Sequence, residues 1–172
     1  MAALLLSAAL LAAGSSPAVA DGTTPNGWGR QAPMTIRGVG SLSIAVPANL
    51  RGGPQQGIDS LVAEYRGAGL RLSLDFGMYG ARPDCSTYRC ASIEIDGLPA
   101  AMARAERIPA ADGRTAPGHW RHFYVALPGP GQAAAINLVI YAHCATADRC
   151  TLAERIFRTI DFNLTPAPGA PR

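Results

Sequence analysis

Lysine is absent from this 172-residue chain, and all fifteen basic residues are arginine. They lie scattered, Arg30, Arg37, Arg51, Arg66, Arg71 and Arg82 among them, without a run of like charge. Nucleic-acid binding gathers its cations on one face or in one stretch, so a net charge of +3 spread this way argues against a nucleic-acid partner. A nucleophile elbow is also missing: there is no G-x-S-x-G, and Gly38-Val39-Gly40-Ser41 leads directly into a strand pattern. After residue 20 no apolar run approaches the about 20 residues that a spanning helix needs, which excludes stable membrane insertion by a helix of that kind.

The first twenty residues carry no charged side chain. A short apolar core (Leu4 to Ala13) is followed by Gly14-Ser15-Ser16-Pro17 and then by Ala18-Val19-Ala20, an A-x-A cleavage site. Residues 1–20 are therefore expected to be a signal peptide and the product to be exported, periplasmic or extracellular. The core lacks a preceding Lys or Arg, which leaves the true start codon open. No Cys follows it to carry a lipid anchor. Residues 21–33 are rich in Gly, Pro, Thr and Asn and read as a flexible leader. Residues 165–172 read as a Pro-rich tail, which leaves 34–164 as a single domain.

Four cysteines, Cys85, Cys90, Cys144 and Cys150, form two short pairs. In an exported chain an even count reads as disulfides. The local pairings Cys85–Cys90 and Cys144–Cys150 are favoured; a crossed pairing would close longer loops and stabilise more. A four-thiolate zinc site is the rival, weakened by C-x4-C and C-x5-C spacings and by the oxidising address.

Alternation dominates the domain. Leu42, Ile44 and Val46 share a face up to Pro47, with Ser41, Ser43 and Ala45 opposite. A strand over 60–66 turns through Gly67-Ala68-Gly69 into Leu70, Leu72, Leu74 and Phe76, with Arg71, Ser73 and Asp75 on the other side. Ile93 and Ile95 precede an Asp96-Gly97 hairpin turn, and 98–107 is read as the return strand. Phe123, Val125 and Leu127 mark a further strand ending at 128–131. Ile136, Leu138, Ile140 and Ala142 mark the next, with Asn137, Val139, Tyr141 and His143 opposite. Thr151-x-x-Glu154 has the form of a capping box opening a helix with Leu152, Ile156 and Ile160 on its apolar stripe. The expected fold is α+β: an antiparallel sheet of about five to seven strands covered by one or two helices, including a C-terminal one.

The run Gly57-Ile58-Asp59-Ser60 with Glu64-Tyr65 and Asp75-Phe76-Gly77-Met78-Tyr79 resembles a pattern in small uncharacterised exported bacterial proteins. With the early strand ending Val46-Pro47, the meander Ile95-Asp96-Gly97-Leu98-Pro99-Ala100 and the late Thr159-Ile160-Asp161-Phe162, the layout is similar to the PsbP-like fold group, DcrB type. That resemblance implies an accessory or interaction role and brings no catalytic residues.

Among candidate sites, His119 and His122 lie three apart on a strand and point to opposite faces, so they cannot chelate together. His122 and His143 would share an outer face if their strands are neighbours, dressed with Trp120, Tyr124 and Tyr141; a half-exposed aromatic face is preferred to a two-His metal site. Asp75, Glu94 and Asp96 fall on polar strand sides, where two carboxylates on neighbouring strands could act as acid and base. Ser60 beside Asp59 reads as a turn or capping pair. The loop from Arg82 to Cys90, with Tyr79, Arg82, Tyr88 and Arg89, is the recognition candidate, because rigid aromatic and guanidinium groups suit interfaces. The expected function is an exported, non-catalytic accessory or binding protein that meets an unknown protein or cell-envelope component and carries no cofactor. The alternatives are a small hydrolase using carboxylates and a metal-binding protein.

Overall fold

The computed structural model describes residues 25–36, 39–56, 60–110, 113–127 and 136–164. The expected signal peptide, the Pro-rich tail, Gly57-Ile58-Asp59 and the 128–131 turn lie outside them. The strands are β1 (Trp28–Arg30), β2 (Met34–Ile36), β3 (Gly40–Ser43), β4 (Ala45–Pro47), β5 (Arg51–Gln56), β6 (Ser60–Gly67), β7 (Leu70–Gly77), β8 (Arg89–Ile95), β9 (Leu98–Pro109), β10 (Thr115–Leu127), β11 (Ile136–Cys144) and β12 (Asp161–Leu164), with one helix, α1 (Ala147–Phe157), before β12.

Two turns build the meander. Ala68 (φ 49°) with Gly69 (φ 73°) joins β6 to β7, and Asp96 (φ 49°) with Gly97 (φ 73°) joins β8 to β9. Both central residues are left-handed, the geometry whose twist matches a tight two-residue hairpin. The main sheet is antiparallel throughout, in the order β5-β6-β7-β11-β10-β9-β8. Its core face carries Tyr65, Leu72, Leu74, Phe76, Met102, Phe123, Val125, Leu138 and Ile140. Helix α1 covers that face, Phe157 stacking on Phe123 at 4.1 Å. The smaller sheets β12-β3-β2 and β1-β4 close the same core with Met34, Leu42, Ile44 and Val46.

The seven-stranded antiparallel sheet and its covering helix fit the expected layout, but the protein is predominantly β rather than clearly α+β, with a single helix among the described residues. Three local expectations are corrected. The helix starts four residues before the Thr151–Glu154 box: Thr146 is its N-cap, accepting from Arg149 N at 3.4 Å, while Thr151 Oγ1 bonds back to the Ala147 carbonyl. Glu154 binds the sheet instead, through Arg104 and Arg121. The leader is not loose throughout, since Trp28–Arg30 pairs with Ala45–Pro47 and Trp28 packs on the core beneath Arg155. Ala45, placed on the polar side by alternation, is fully buried, because the strand breaks at Ile44.

Candidate functional site

Strand order creates the site. Strands β7 and β8 are consecutive in the chain but stand at positions separated by β11, β10 and β9. At about 4.8 Å per strand the connection must travel about 19 Å. The core face is already occupied by α1 and the small sheets, and residues 78–88 run over the outer face instead. Four contacts seat them. Gly80 lies so close to Val139 that a Cβ there would be 2.4 Å from Val139 Cγ2. The Gly80 carbonyl accepts from Asn137 Nδ2 at 3.1 Å, and Asn137 Oδ1 accepts from the Tyr124 hydroxyl at 2.8 Å. The Ala81 backbone bonds the His122 imidazole, and the Tyr88 ring sits 5.0 Å from Trp120.

The loop's far end is stapled. Cys85 pairs with Cys90 (Cα–Cα 5.5 Å), and Cys144 pairs with Cys150 (Cα–Cα 5.4 Å), joining the end of β11 to the first turn of α1. Both local pairings expected from the sequence are present, and these cysteines offer no thiolate to zinc. Within the staple, Asp84 accepts from Ser86 N (2.9 Å), Ser86 Oγ (2.6 Å) and Thr87 Oγ1 (2.6 Å). These bonds, the Ser86 and Thr87 hydroxyls foremost, lower its carboxyl to about 2.

Beneath the loop the outer face is more enclosed than alternation suggests: Trp120, His122, Asn137 and Val139 are buried, while Tyr124, Tyr141 and His143 stay half-exposed as expected. Trp120 joins the rings, at 5.5 Å from His122 and 6.2 Å from Tyr141, while His122 and Tyr141 lie 4.6 Å apart. A groove of about 480 Å³ opens here, lined by Arg82, Tyr88, Trp120, His122, Tyr141 and His143 with residues of the loop and of 109–110. A second, of about 370 Å³, is lined by Val62, Glu64, Arg71, Ser73, Asp75 and Tyr141 with their neighbours. Tyr141 belongs to both.

The ring groups of this face are shifted toward their uncharged forms. Burial lowers His122, against the opposing bond to Ala81; burial and then the Arg71 guanidinium lower His143. Burial, and secondarily the Asp75 carboxylate, raise the Tyr141 phenol. Two buried acceptors, His122 Nε2 and Asp75 Oδ1, have no hydrogen-bond partner among the described residues.

Of the recognition residues read from the sequence, Arg82 and Tyr88 line the first groove, Tyr79 is 72% exposed and lines neither groove, and Arg89 starts β8 outside both. His122 and His143 do share the outer face, on neighbouring strands. His119 is engaged elsewhere, with Nδ1 2.6 Å from Glu106 Oε2. Among the described residues no three His, Cys, Asp or Glu side chains converge on a metal position. The proposed carboxylate pairing fails, because Asp75 on β7 and Glu94 on β8 have three strands between them, and Asp96 caps Phe162 N at 2.7 Å. The carboxylate that does share a groove with Asp75 is Glu64, which sequence reading passed over; it is clamped by Arg66 and Arg71, whose guanidiniums lower its carboxyl.

No family model matches the chain, and no curated protein matches it. Among solved structures, a crystal structure from Bacteroides thetaiotaomicron VPI-5482 is similar at 11% identity and a TM-score of 0.42, over 71% of this chain and 45% of that one. The present chain thus spans less than half the length of that protein. A likeness of that grade supports neither a fold assignment nor a role. The class that the residues themselves define is a disulfide-stapled β protein with a loop-covered aromatic face, and no helix among those described is long and apolar enough to cross a membrane.

Proposed function

We propose that this chain is an exported, non-catalytic binding protein that meets an envelope component or protein partner through loop 78–88 and the aromatic groove beneath it. The observation that carries this reading is the loop itself. Stapling, the Asp84 turn and the Gly80 seat hold it rigid, while it presents Met78 (43% exposed) and Tyr79 (72%) beside Arg82. Rigid, exposed side chains lose little entropy when a partner orders them. Two disulfides and the A-x-A signal support an oxidising address, and the PsbP-like, DcrB-type resemblance supports an accessory role.

The test has two parts. Intact mass of protein recovered from its export compartment, with and without reduction, should show cleavage after Ala20 and two disulfides. The purified protein should then be retained by an envelope fraction, and Tyr79→Ala with Arg82→Ala should abolish retention without changing the melting temperature. Retention of that double variant equal to the native protein would overturn the reading. A carboxylate hydrolase is the second reading, favoured by Glu64 and Asp75 lining one groove. Against it, the Glu64 oxygens are already occupied by two arginines, which disfavours the proton exchange that general acid–base catalysis requires.

A further inference from the structure

Given a binding role for this face, we infer that its ligand is a neutral polyhydroxylated chain, an oligosaccharide, laid across Tyr141 from one groove into the other.

The shape argues for a chain. The grooves flank Tyr141, which lines both, and the lining side chains come from β10, β11, β7, β6 and β5 in sheet order. Four strand steps make a track of about 19 Å. A compact ligand would occupy one groove and leave the other without a role.

The surface argues for a sugar. Tyr88 and Tyr141 keep ring surface open, and Trp120, nearly enclosed, braces both from beneath. Flat apolar rings complement the C–H faces of pyranose rings, while a few placed polar groups set orientation.

The hydrogen-bond inventory argues for neutrality and for donors. With Nε2 unpartnered, the imidazole bond to Ala81 falls to Nδ1, so Nε2 presents a lone pair. Asp75, which lines the second groove, carries another on Oδ1, an enclosed atom as Nε2 is. Buried acceptors without donors are costly, and native proteins seldom leave them so. Each groove is lined by both signs of charge, Glu64 and Asp75 with Arg71 in one and Asp84 with Arg82 in the other, and the Glu64 and Asp84 carboxylates are already bonded within the protein, so neither groove selects an ion of one sign. Sugar hydroxyls donate to Nε2 and Oδ1 and accept from Arg82, a match that needs no net charge.

The test is calorimetric titration of the mature protein with neutral oligosaccharides of four to six units (β-1,4- and α-1,4-glucans and N-acetylglucosamine oligomers), their monosaccharides, an acidic oligogalacturonate and a cationic chitosan oligomer. At least one neutral oligomer should bind, its monosaccharide at least about tenfold more weakly. His122→Phe and Asp75→Ala should each weaken binding by about tenfold or more, the scale of one lost hydrogen bond to a buried group. Tyr88→Ala, on the stapled loop, should do the same while the protein still melts in one cooperative transition. Binding confined to the charged oligomers, or neutral binding indifferent to all three substitutions, overturns the inference. So does envelope retention that protease abolishes and periodate leaves intact, an outcome that leaves the binding reading standing with a protein ligand. Loss of all envelope retention by the native protein removes both.

Discussion

Replacing Glu154 with alanine tests how the helix is fastened to the sheet. Its carboxylate lies between two guanidiniums that are register partners on adjacent strands, Arg121 and Arg104. Arg121 Nε is 2.8 Å from Oε1; Arg104 reaches Oε2 at 2.9 Å and Oε1 at 3.2 Å. The Arg121 side chain is only 9% exposed and Glu154 19%, against 44% for Arg104. Without Glu154, Arg121 keeps the Trp120 carbonyl at 2.9 Å and faces a like charge. Breaking a buried pair costs about 3–5 kcal/mol. Water admitted on the Arg104 side brings the expectation for Glu154→Ala to about 2–4 kcal/mol in urea unfolding. Glu154→Gln retains an acceptor without the charge and should cost about 1–2 kcal/mol. Arg104→Ala should cost about 0–1 kcal/mol in the native background and be neutral or stabilising in the Glu154→Ala background, where it removes only repulsion. Burial would raise the Glu154 carboxyl, but the two arginines outweigh it and the net shift is downward. Its stabilisation is therefore present above the unfolded carboxylate range and lost as pH falls through the lower folded value. A Glu154→Ala protein within 0.5 kcal/mol of native, or an Arg104→Ala protein weaker than it, would refute the reasoning.

Three further outcomes are expected. Cys85 and Cys90 are exposed whereas Cys144 and Cys150 are enclosed, and thiol exchange needs access; mild reduction followed by alkylation should label Cys85 and Cys90 first, with the loss of about 2 kcal/mol that the loop-entropy relation gives. Equal labelling of all four at the lowest reductant concentration would contradict this. Gly80→Ala should lift the loop from Val139, costing about 1–3 kcal/mol and raising acrylamide quenching of Trp120; unchanged quenching would mean that the loop is not seated there. His122 and His143 are both held below the usual imidazole range, chiefly by burial, so the unfolded chain takes up more protons. Their contribution is full above about pH 6.5 and declines as pH falls from there toward the folded values. The melting temperature should drop between pH 7.5 and 5.5, and the double substitution to Gln should flatten that slope.

Alternation and turn chemistry carried the meander. The β6–β7 and β8–β9 hairpins follow from Gly67-Ala68-Gly69 and Asp96-Gly97, because few residue pairs adopt two consecutive left-handed conformations. The helix start was less legible. Its first turn, Ala147-Asp148-Arg149-Cys150, buries only Cys150 and shows no apolar stripe, while Thr151-x-x-Glu154 matches a capping motif by letter. Strand β1, three residues with Gly29 at their centre and Gly27 before them, has no local pattern and exists only because Ala45–Pro47 offers a partner. Above all, alternation assigns a side chain to a face but cannot order the strands. It placed Asp75 and Glu94 correctly on polar sides and could not separate them across the sheet. Nor could it reveal that a connection from β7 to the far edge must cover Trp120 and His122.

That covering loop bears on purpose as well as packing. A second sheet face buried for stability alone is best filled with apolar side chains and with polar groups that are satisfied. Asn137 is such a group, donating to Gly80 and accepting from Tyr124. His122 Nε2 and Asp75 Oδ1 are not, although each sits within one strand of Tyr141. The Tyr65 hydroxyl is unpartnered too, but it faces the core, beside a void of only about 10 Å³ under α1 that has no room for a ligand. The two outer acceptors instead belong to residues lining grooves of about 480 and 370 Å³. Enclosed polar groups left unsatisfied in residues that line these grooves, next to rings braced by a stapled loop, are what the proposed donor-rich ligand would satisfy, and what a surface organised only for folding would have replaced.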